Sequence, residues 1–142
     1  MLDTTHYGFM LPEELILLRD QIRRFMREEV KPIEDKLPHD ATGCSPEDLD
    51  YLRSIAEDMG LTRMSVPAEY GGNPASALTQ VIVAEEAAKC RLGGYAPALN
   101  AFKGGPPNVI WGGTTKQKEK YGVPCVEGGA NMFVAITEPT GG

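Results

Sequence analysis

Residues 12–33 read PEELILLRDQIRRFMREEVKPI and carry the strongest periodic signal in the chain. Apolar side chains recur at steps of three and four residues, and arginines lie mostly between them. Pro12 suits the first turn of a helix, because its missing N–H would have no partner there. The stretch therefore predicts an amphipathic helix that ends or kinks at Pro32. We expect its arginine-rich face to be solvated rather than to bind phosphate.

Two further helices are predicted downstream. Ser45 can cap a helix that ends at Gly60, where a left-handed turn needs no Cβ. Asn73-Pro74 then has the form of a cap and first turn for an apolar helix. Because that helix has few polar positions before Glu85, it is predicted to be the most buried helix of the chain.

The same helix extends to about residue 91 and carries the adjacent acids Glu85 and Glu86. Adjacent side chains project about 100° apart around a helix, so these two cannot form a facing pair that shares a proton. We therefore predict that they form salt bridges and do not serve as acid-base catalysts.

The second half of the chain is rich in glycine and proline. Gly-Gly-Pro-Pro at 104–107 should break any helix, and Thr114 with Gln117 fits a capping box for a short polar helix. Residues 130–137 are apolar and β-branched without helical spacing, which predicts a strand. A lone strand leaves its backbone groups unpaired, so its partners should lie beyond residue 142 or in another chain. The predicted fold class is mainly α, with five to six helices and one terminal β-strand.

Composition favours a soluble globular protein with one core. The chain has 142 residues, of which 42% are hydrophobic and 24% charged, and its net charge is −6. An acidic first half without a Lys/Arg stripe argues against nucleic acid as a partner. No apolar run is long enough to span a membrane, and the N-terminus lacks the pattern of a secretory signal.

Cysteine usage indicates a reduced, cytoplasmic protein. Cys44, Cys90 and Cys125 are odd in number and form no C-x-x-C pair, so we expect packing roles for them. His6 and His39 fit exposed loop positions. No metal site is predicted.

Four local sequences occur in an order and spacing that resemble the N-terminal α-helical domain of acyl-CoA dehydrogenases. They are VPAEYGG at 66–72, EEAAK at 85–89, GTTKQKEKY at 113–121 and ITEP at 136–139. The resemblance covers essentially the whole chain. It implies a helical domain over residues 1–129, followed at 130–142 by the first strand and turn of a middle β domain.

The resemblance also implies the chemistry of a longer parent protein. Members of this family hold FAD and dehydrogenate an acyl-CoA thioester to a trans-2-enoyl-CoA. A proton leaves the carbon α to the thioester, and a hydride passes from the β carbon to flavin N5. The glutamate base usually lies in the C-terminal part of the family's proteins, so we assign no catalytic residue here and expect the 142-residue chain alone to be inactive.

Site residues carried over from the family fall into two groups. The flavin-contacting positions are Val134, Ile136, Thr137, Gly141 and Gly142, and the positions lining the acyl pocket are Tyr95, Leu99, Asn100 and Lys103. The implied partners are the acyl-CoA substrate, electron-transfer flavoprotein or another electron acceptor, and further copies of the chain in a dimer or tetramer.

Two other hypotheses stay open at this point. The chain could be a stand-alone helical interaction or docking module without catalysis. It could also belong to a related flavin monooxygenase or nitroalkane oxidase, since those enzymes share the scaffold and differ mainly in C-terminal residues.

Overall fold

The computed structural model of the chain describes residues 10–92 and 97–130. The regular secondary structure of these residues is helical, which confirms the mainly α class. Residues 131–137 of the predicted strand lie outside the described part of the chain. The chain divides into two compact units, whereas a single core was predicted. The first unit contains the described residues of 1–62 and 75–103, and the second contains those of 63–74 and from 104 onward.

The first unit begins with one continuous helix. It comprises three consecutive segments: α1 (Glu13–Phe25), a π-helical turn (Met26–Val30) and α2 (Lys31–Glu34). The N–H of Lys31 donates to the carbonyl of Met26, five residues earlier, as in a π-helix. Pro32 does not end the helix, because the extra residue in the preceding turn shifts the carbonyls that a proline ring would otherwise meet.

Three more helices lie in the described residues of this unit: α3 (Pro46–Asp58), α4 (Ala77–Ala87) and α5 (Pro97–Ala101). The predicted cap is confirmed, since Ser45 Oγ accepts the N–H of Asp48 at 3.1 Å. Gly60 has the expected left-handed conformation with φ of 70°. The predicted start of α4 at Asn73-Pro74 is wrong, because the side chain of Ser76 caps this helix instead.

Leucine, isoleucine and valine side chains, together with alanines and two phenylalanines, form the core of the first unit. Helix α1 packs against α4, and α3 packs against α5. Leu52 and Ala56 of α3 are fully buried, as is Ala101 of α5. The rings of Phe25 and Phe102 lie 5.4 Å apart at 54°. These contacts fix α5 against the helices that precede it.

Two predictions about burial in this unit are wrong. Val81 of α4 is 54% exposed, so that helix is buried on one side only. Arg19, expected in solvent, is only 5% exposed. It lies four residues after Leu15 and three before Ile22, which places it on the apolar side of α1.

The second unit contains short helical turns. They are two 3₁₀ turns (Ala68–Tyr70 and Asn108–Gly112), α6 (Thr115–Gln117), a π-helical turn (Lys118–Gly122) and α7 (Val123–Val126). Thr114 and Gln117 form the predicted capping box. The helical pattern is interrupted at 104–107 as expected. Across the described residues of both units, no helix has the length and apolar character needed to cross a membrane.

Candidate functional site

The described members of the predicted acyl pocket lie on α5 or just after it. Ala98 and Ala101 are fully buried. Leu99 and Asn100 are half-buried, and Lys103, just after the helix, is exposed. The three predicted residues therefore share the accessible side of α5, while the small residues lie on its packed side.

A direct contact joins two of these three residues. Lys103 Nζ donates to Asn100 Oδ1 at 3.1 Å. The ammonium retains N–H donors for a second acceptor, and the Asn100 amide nitrogen can donate as well. Leu99 supplies apolar surface beside them. This arrangement suits a ligand with an acceptor-bearing polar group next to a hydrocarbon chain.

The other predicted site residues lie outside the described part of the chain. They are Tyr95, Val134, Ile136, Thr137, Gly141 and Gly142. Their assignment to substrate and flavin stays a prediction.

In the second unit, the sequence VPAEYGG at 66–72 forms a tight turn around Val66. The side chain of Val66 is fully buried. A Cβ added at Gly72 would overlap the carbonyl group of Val66, and Gly71 has φ of 80°. Only glycine fits both demands, which are a left-handed backbone at residue 71 and the close approach to Val66 at residue 72. The motif is thus explained by packing within its own unit.

Tyr70 of this turn forms an aromatic pair with Trp111. The rings of Tyr70 and Trp111 stack with centroids 5.2 Å apart, and Lys118 Nζ lies 5.8 Å from the centroid of Tyr70. Trp111 Nε1 is buried and finds no hydrogen-bond acceptor among residues 10–92 and 97–130. The pair packs against Gly122, where a Cβ would lie 3.0 Å from the Trp111 ring.

Glu86 is the buried acid of α4 and is 2% exposed. Burial alone would raise its pKa, but hydrogen bonds from Arg23 and Lys89 outweigh burial and lower the pKa below its ordinary value. The carboxylate accepts at 3.0 Å from Arg23 and at 2.9 Å from Lys89. The prediction of a salt bridge is confirmed, and an ionised carboxylate held by two cations is a poor general base.

The cysteines are free and half-buried. Burial raises the pKa of the Cys44 thiol and outweighs a backbone hydrogen bond that lowers it, while Asp48 adds to the rise and Arg53 opposes it. This keeps Cys44 protonated at neutral pH. In the described ranges, no group of three or more His, Cys, Asp or Glu side chains is arranged to hold a metal.

Arg91 organises distant backbone and was not among the predicted functional residues. Its guanidinium donates to backbone carbonyls at the end of α2 and just after it, namely those of Glu34, Leu37, Pro38 and His39. These partners lie more than 50 residues away in sequence, so no local pattern predicts the contact. Burial of Arg19 was detectable, since its spacing from Leu15 and Ile22 is that of an apolar helix face.

Comparison with known proteins identifies the family. The family model described as "Acyl-CoA dehydrogenase, N-terminal domain" matches residues 12–129. The chain is 32% identical to 3-(aryl)acrylate reductase of Clostridium sporogenes over 92% of its own length and 33% of that protein. It is 31% identical to the short-chain specific acyl-CoA dehydrogenase of Clostridium acetobutylicum over 94% of its length and 34% of that protein.

A third relative is acryloyl-CoA reductase (NADH) of Anaerotignum propionicum, 31% identical over 94% of this chain and 32% of that protein. The chain therefore spans about a third of the length of the curated relatives it matches. No solved structure gives a significant match. The family model and the helical architecture agree, and the chain belongs to the acyl-CoA dehydrogenase family, of which it carries the N-terminal domain.

Proposed function

We propose that this chain supplies the N-terminal helical domain of an enzyme that dehydrogenates an acyl-CoA thioester to a trans-2-enoyl-CoA. The observation that carries the proposal is the family match over residues 12–129. Within the proposal, residues 1–129 form the helical domain and residues 130–142 begin a β domain. The proposal includes a cytoplasmic homo-oligomer that passes electrons to electron-transfer flavoprotein or another acceptor.

The chain's own contribution to substrate binding is assigned to α5 and its flanks. Leu99 would contact the acyl chain, while Asn100 and Lys103 would donate hydrogen bonds to oxygen atoms of the thioester ligand. Their 3.1 Å contact supports this role, because it holds the ammonium in a defined position before the ligand arrives. Tyr95 is proposed as a further contact from the preceding residues.

The cofactor proposal rests on family membership. FAD would accept the hydride removed from the β carbon of the substrate. Val134, Ile136, Thr137, Gly141 and Gly142 are proposed to contact it. All five lie outside the described residues, so no geometry is assigned to them.

A second candidate reaction runs in the opposite direction. Two relatives are named as reductases, 3-(aryl)acrylate reductase and acryloyl-CoA reductase (NADH). Addition of a proton and a hydride across a C=C bond needs the same placement of substrate as their removal. We therefore include 2-enoyl-CoA reduction as the alternative reaction of the same site.

A chimera tests these proposals. The N-terminal third of the Clostridium acetobutylicum short-chain enzyme is replaced by this chain, and flavin absorbance at about 450 nm and turnover are measured in both directions. We expect bound flavin, turnover of butyryl-CoA with an electron acceptor, and no turnover by the 142-residue chain alone with butyryl-, octanoyl- or isobutyryl-CoA. A flavin-free, inactive chimera beside an active parent would contradict the proposed function.

Variants of the chimera test the role of α5. Lys103→Gln should raise KM for the acyl-CoA about tenfold, because a charge-assisted hydrogen bond is lost. The matched control is Lys116→Gln, which removes an exposed lysine of α6 and should leave KM unchanged. Equal KM values for all three proteins would remove Lys103 from the proposed site.

A further inference from the structure

A cavity of about 640 Å³ lies in the first unit. Its walls come from the end of α1, the π-helical turn, α2 and the C-terminal end of α4 with the residues just after it. This volume is within the range of small-molecule binding sites, roughly 300 to 1,000 Å³. Five basic side chains and three acidic ones line the cavity, which gives its wall an excess of positive charge.

Two of these basic residues have exposed side chains that an anion can reach. Arg27 and Lys31 are four residues apart, and their side chains are 68% and 65% exposed. Their present partners are the exposed carboxylates of Glu28 and Asp35. Exposed ion pairs contribute little stability, so a ligand with two negative charges can displace them at small cost. A phosphate group has that charge and accepts hydrogen bonds from both side chains.

Glu34 lines the same cavity and needs a donor. The residue is 8% exposed. Its Oε2 accepts the backbone N–H of Arg91 at 3.4 Å, whereas Oε1 is buried and accepts no hydrogen bond from the described residues. A buried carboxylate oxygen without a donor is unfavourable, so a ligand that donates to it gains affinity.

The charged side chains of the cavity wall determine which ligand group can donate a hydrogen bond to Glu34. A metal cation or an ammonium group would be repelled by the basic side chains around Glu34. A hydroxyl group can donate without adding positive charge. The other buried acid of the wall, Glu86, already accepts hydrogen bonds from Arg23 and Lys89 and does not compete for the ligand.

We propose that this cavity binds a phosphorylated ligand that also carries hydroxyl groups, of the sugar-phosphate class. The phosphate contacts Arg27 and Lys31, and a hydroxyl donates to Oε1 of Glu34. The inference goes beyond the proposed dehydrogenase function and does not depend on it, since every residue involved lies in the described first unit.

Calorimetric titration of the 142-residue chain tests the phosphate contact and the hydroxyl contact separately. The probes are ribose 5-phosphate, inorganic phosphate and ribose. We expect ribose 5-phosphate to bind at least about tenfold more tightly than phosphate, because only it also donates to Glu34, and ribose to bind most weakly. Absence of measurable binding of ribose 5-phosphate, or equal affinity for it and phosphate, would overturn the proposal.

Variants then assign the contacts. Lys31→Gln and Arg27→Gln should each weaken both phosphate and ribose 5-phosphate, whereas Glu34→Gln should weaken ribose 5-phosphate alone. Lys116→Gln, in the second unit, is the matched control and should bind all probes as the parent chain does. Circular dichroism checks folding, and if Glu34→Gln does not fold, the surface variants and the three probes decide the outcome. Unchanged binding in Lys31→Gln and Arg27→Gln would contradict the proposed phosphate site.

Discussion

Arg23 Nε donates to Oε1 of Glu86 at 3.0 Å and thereby joins α1 to α4 across 63 positions of the sequence. The two partners differ in solvent access, since the side chain of Arg23 is 37% exposed and that of Glu86 is 2% exposed. Lys89 donates to the same oxygen at 2.9 Å. The buried carboxylate thus depends on two cations that approach from the solvent side.

Replacing Glu86 by Gln should destabilise the first unit by about 1 to 3 kcal/mol, because charge-assisted hydrogen bonds become neutral ones. The folded-state pKa of Glu86 is lowered from its ordinary 4.5, so its contribution is complete above pH 4.5 and is lost as pH falls through the folded-state pKa. Urea unfolding of the parent chain and of Glu86→Gln measures the difference. The measurement is made from about pH 3 to about pH 7, a range in which carboxylates titrate.

The control for this measurement is Glu85→Gln. Glu85 is more exposed, and its oxygen lies 3.9 Å from Lys89. We expect a much smaller change in the free energy of unfolding. If the two variants lose equal stability at pH 7, the buried pair has no special role.

Replacing Gly72 by Ala should destabilise the second unit by about 2 kcal/mol or more, because the new methyl group would overlap the backbone of Val66. Trp111 is the single tryptophan of the chain and lies in the same unit, so its fluorescence during denaturation reports the loss. Gly112→Ala is the matched control, since nothing lies within 4 Å of its added Cβ. Similar midpoints for the two variants would contradict the packing account of the VPAEYGG turn.

Replacing Ser45 by Ala should cost about 1 kcal/mol of unfolding free energy, because the N–H of Asp48 loses its acceptor at the start of α3. Ser54→Ala is the comparison. The hydroxyl of Ser54 donates to the carbonyl of Tyr51 within the helix, and alanine has the higher helix propensity. Thermal unfolding followed by circular dichroism should show a clear decrease for the first variant only.

The hydroxyl of Tyr51 donates to Glu29 Oε2 at 2.6 Å. This hydrogen bond raises the pKa of Tyr51 above 10.0, and the nearby negative charge adds to the effect. Its contribution to stability is therefore present below pH 10 and is lost as pH rises through the folded-state pKa. In a titration of tyrosinate absorbance, Glu29→Gln should shift the ionisation of one tyrosine to lower pH, and Tyr51→Phe should remove that ionisation from the curve.

Local signals predicted the elements whose causes are local. The cap at Ser45, the left-handed turn at Gly60 and the capping box at Thr114 each depend on atoms within a few residues. The start of α4 was misplaced because two candidate caps, Asn73 and Ser76, compete within four positions. At Asn73 the backbone N–H donates to the carbonyl of Arg63, which makes it part of the preceding turn.

Features that depend on distant residues escaped sequence analysis. Arg91 and Glu34 are 57 positions apart, and only the packed helices bring them together. Exposure of Val81 has a similar origin, since burial of a helix face depends on which neighbours are present to cover it. For the proposed site, Leu99, Asn100 and Lys103 were assigned from the resemblance to the family, and their positions within about one helical turn place them on one side of α5. The roles of these three residues, and of the members outside the described residues, stay predictions.

The π-helical turn at Met26–Val30 changes which side of the helix faces the core. Buried residues before it include Phe25, and the next one on the helix is Val30, five positions later. A regular α-helix would place residue 30 about 140° around the axis from residue 25. One additional residue therefore rotates everything after it by about 100°, which turns Val30 and Glu34 toward the side on which Ile22 is buried. Removal of a single residue from this turn would return Glu34 to the surface, so the length of the segment matters more than its composition.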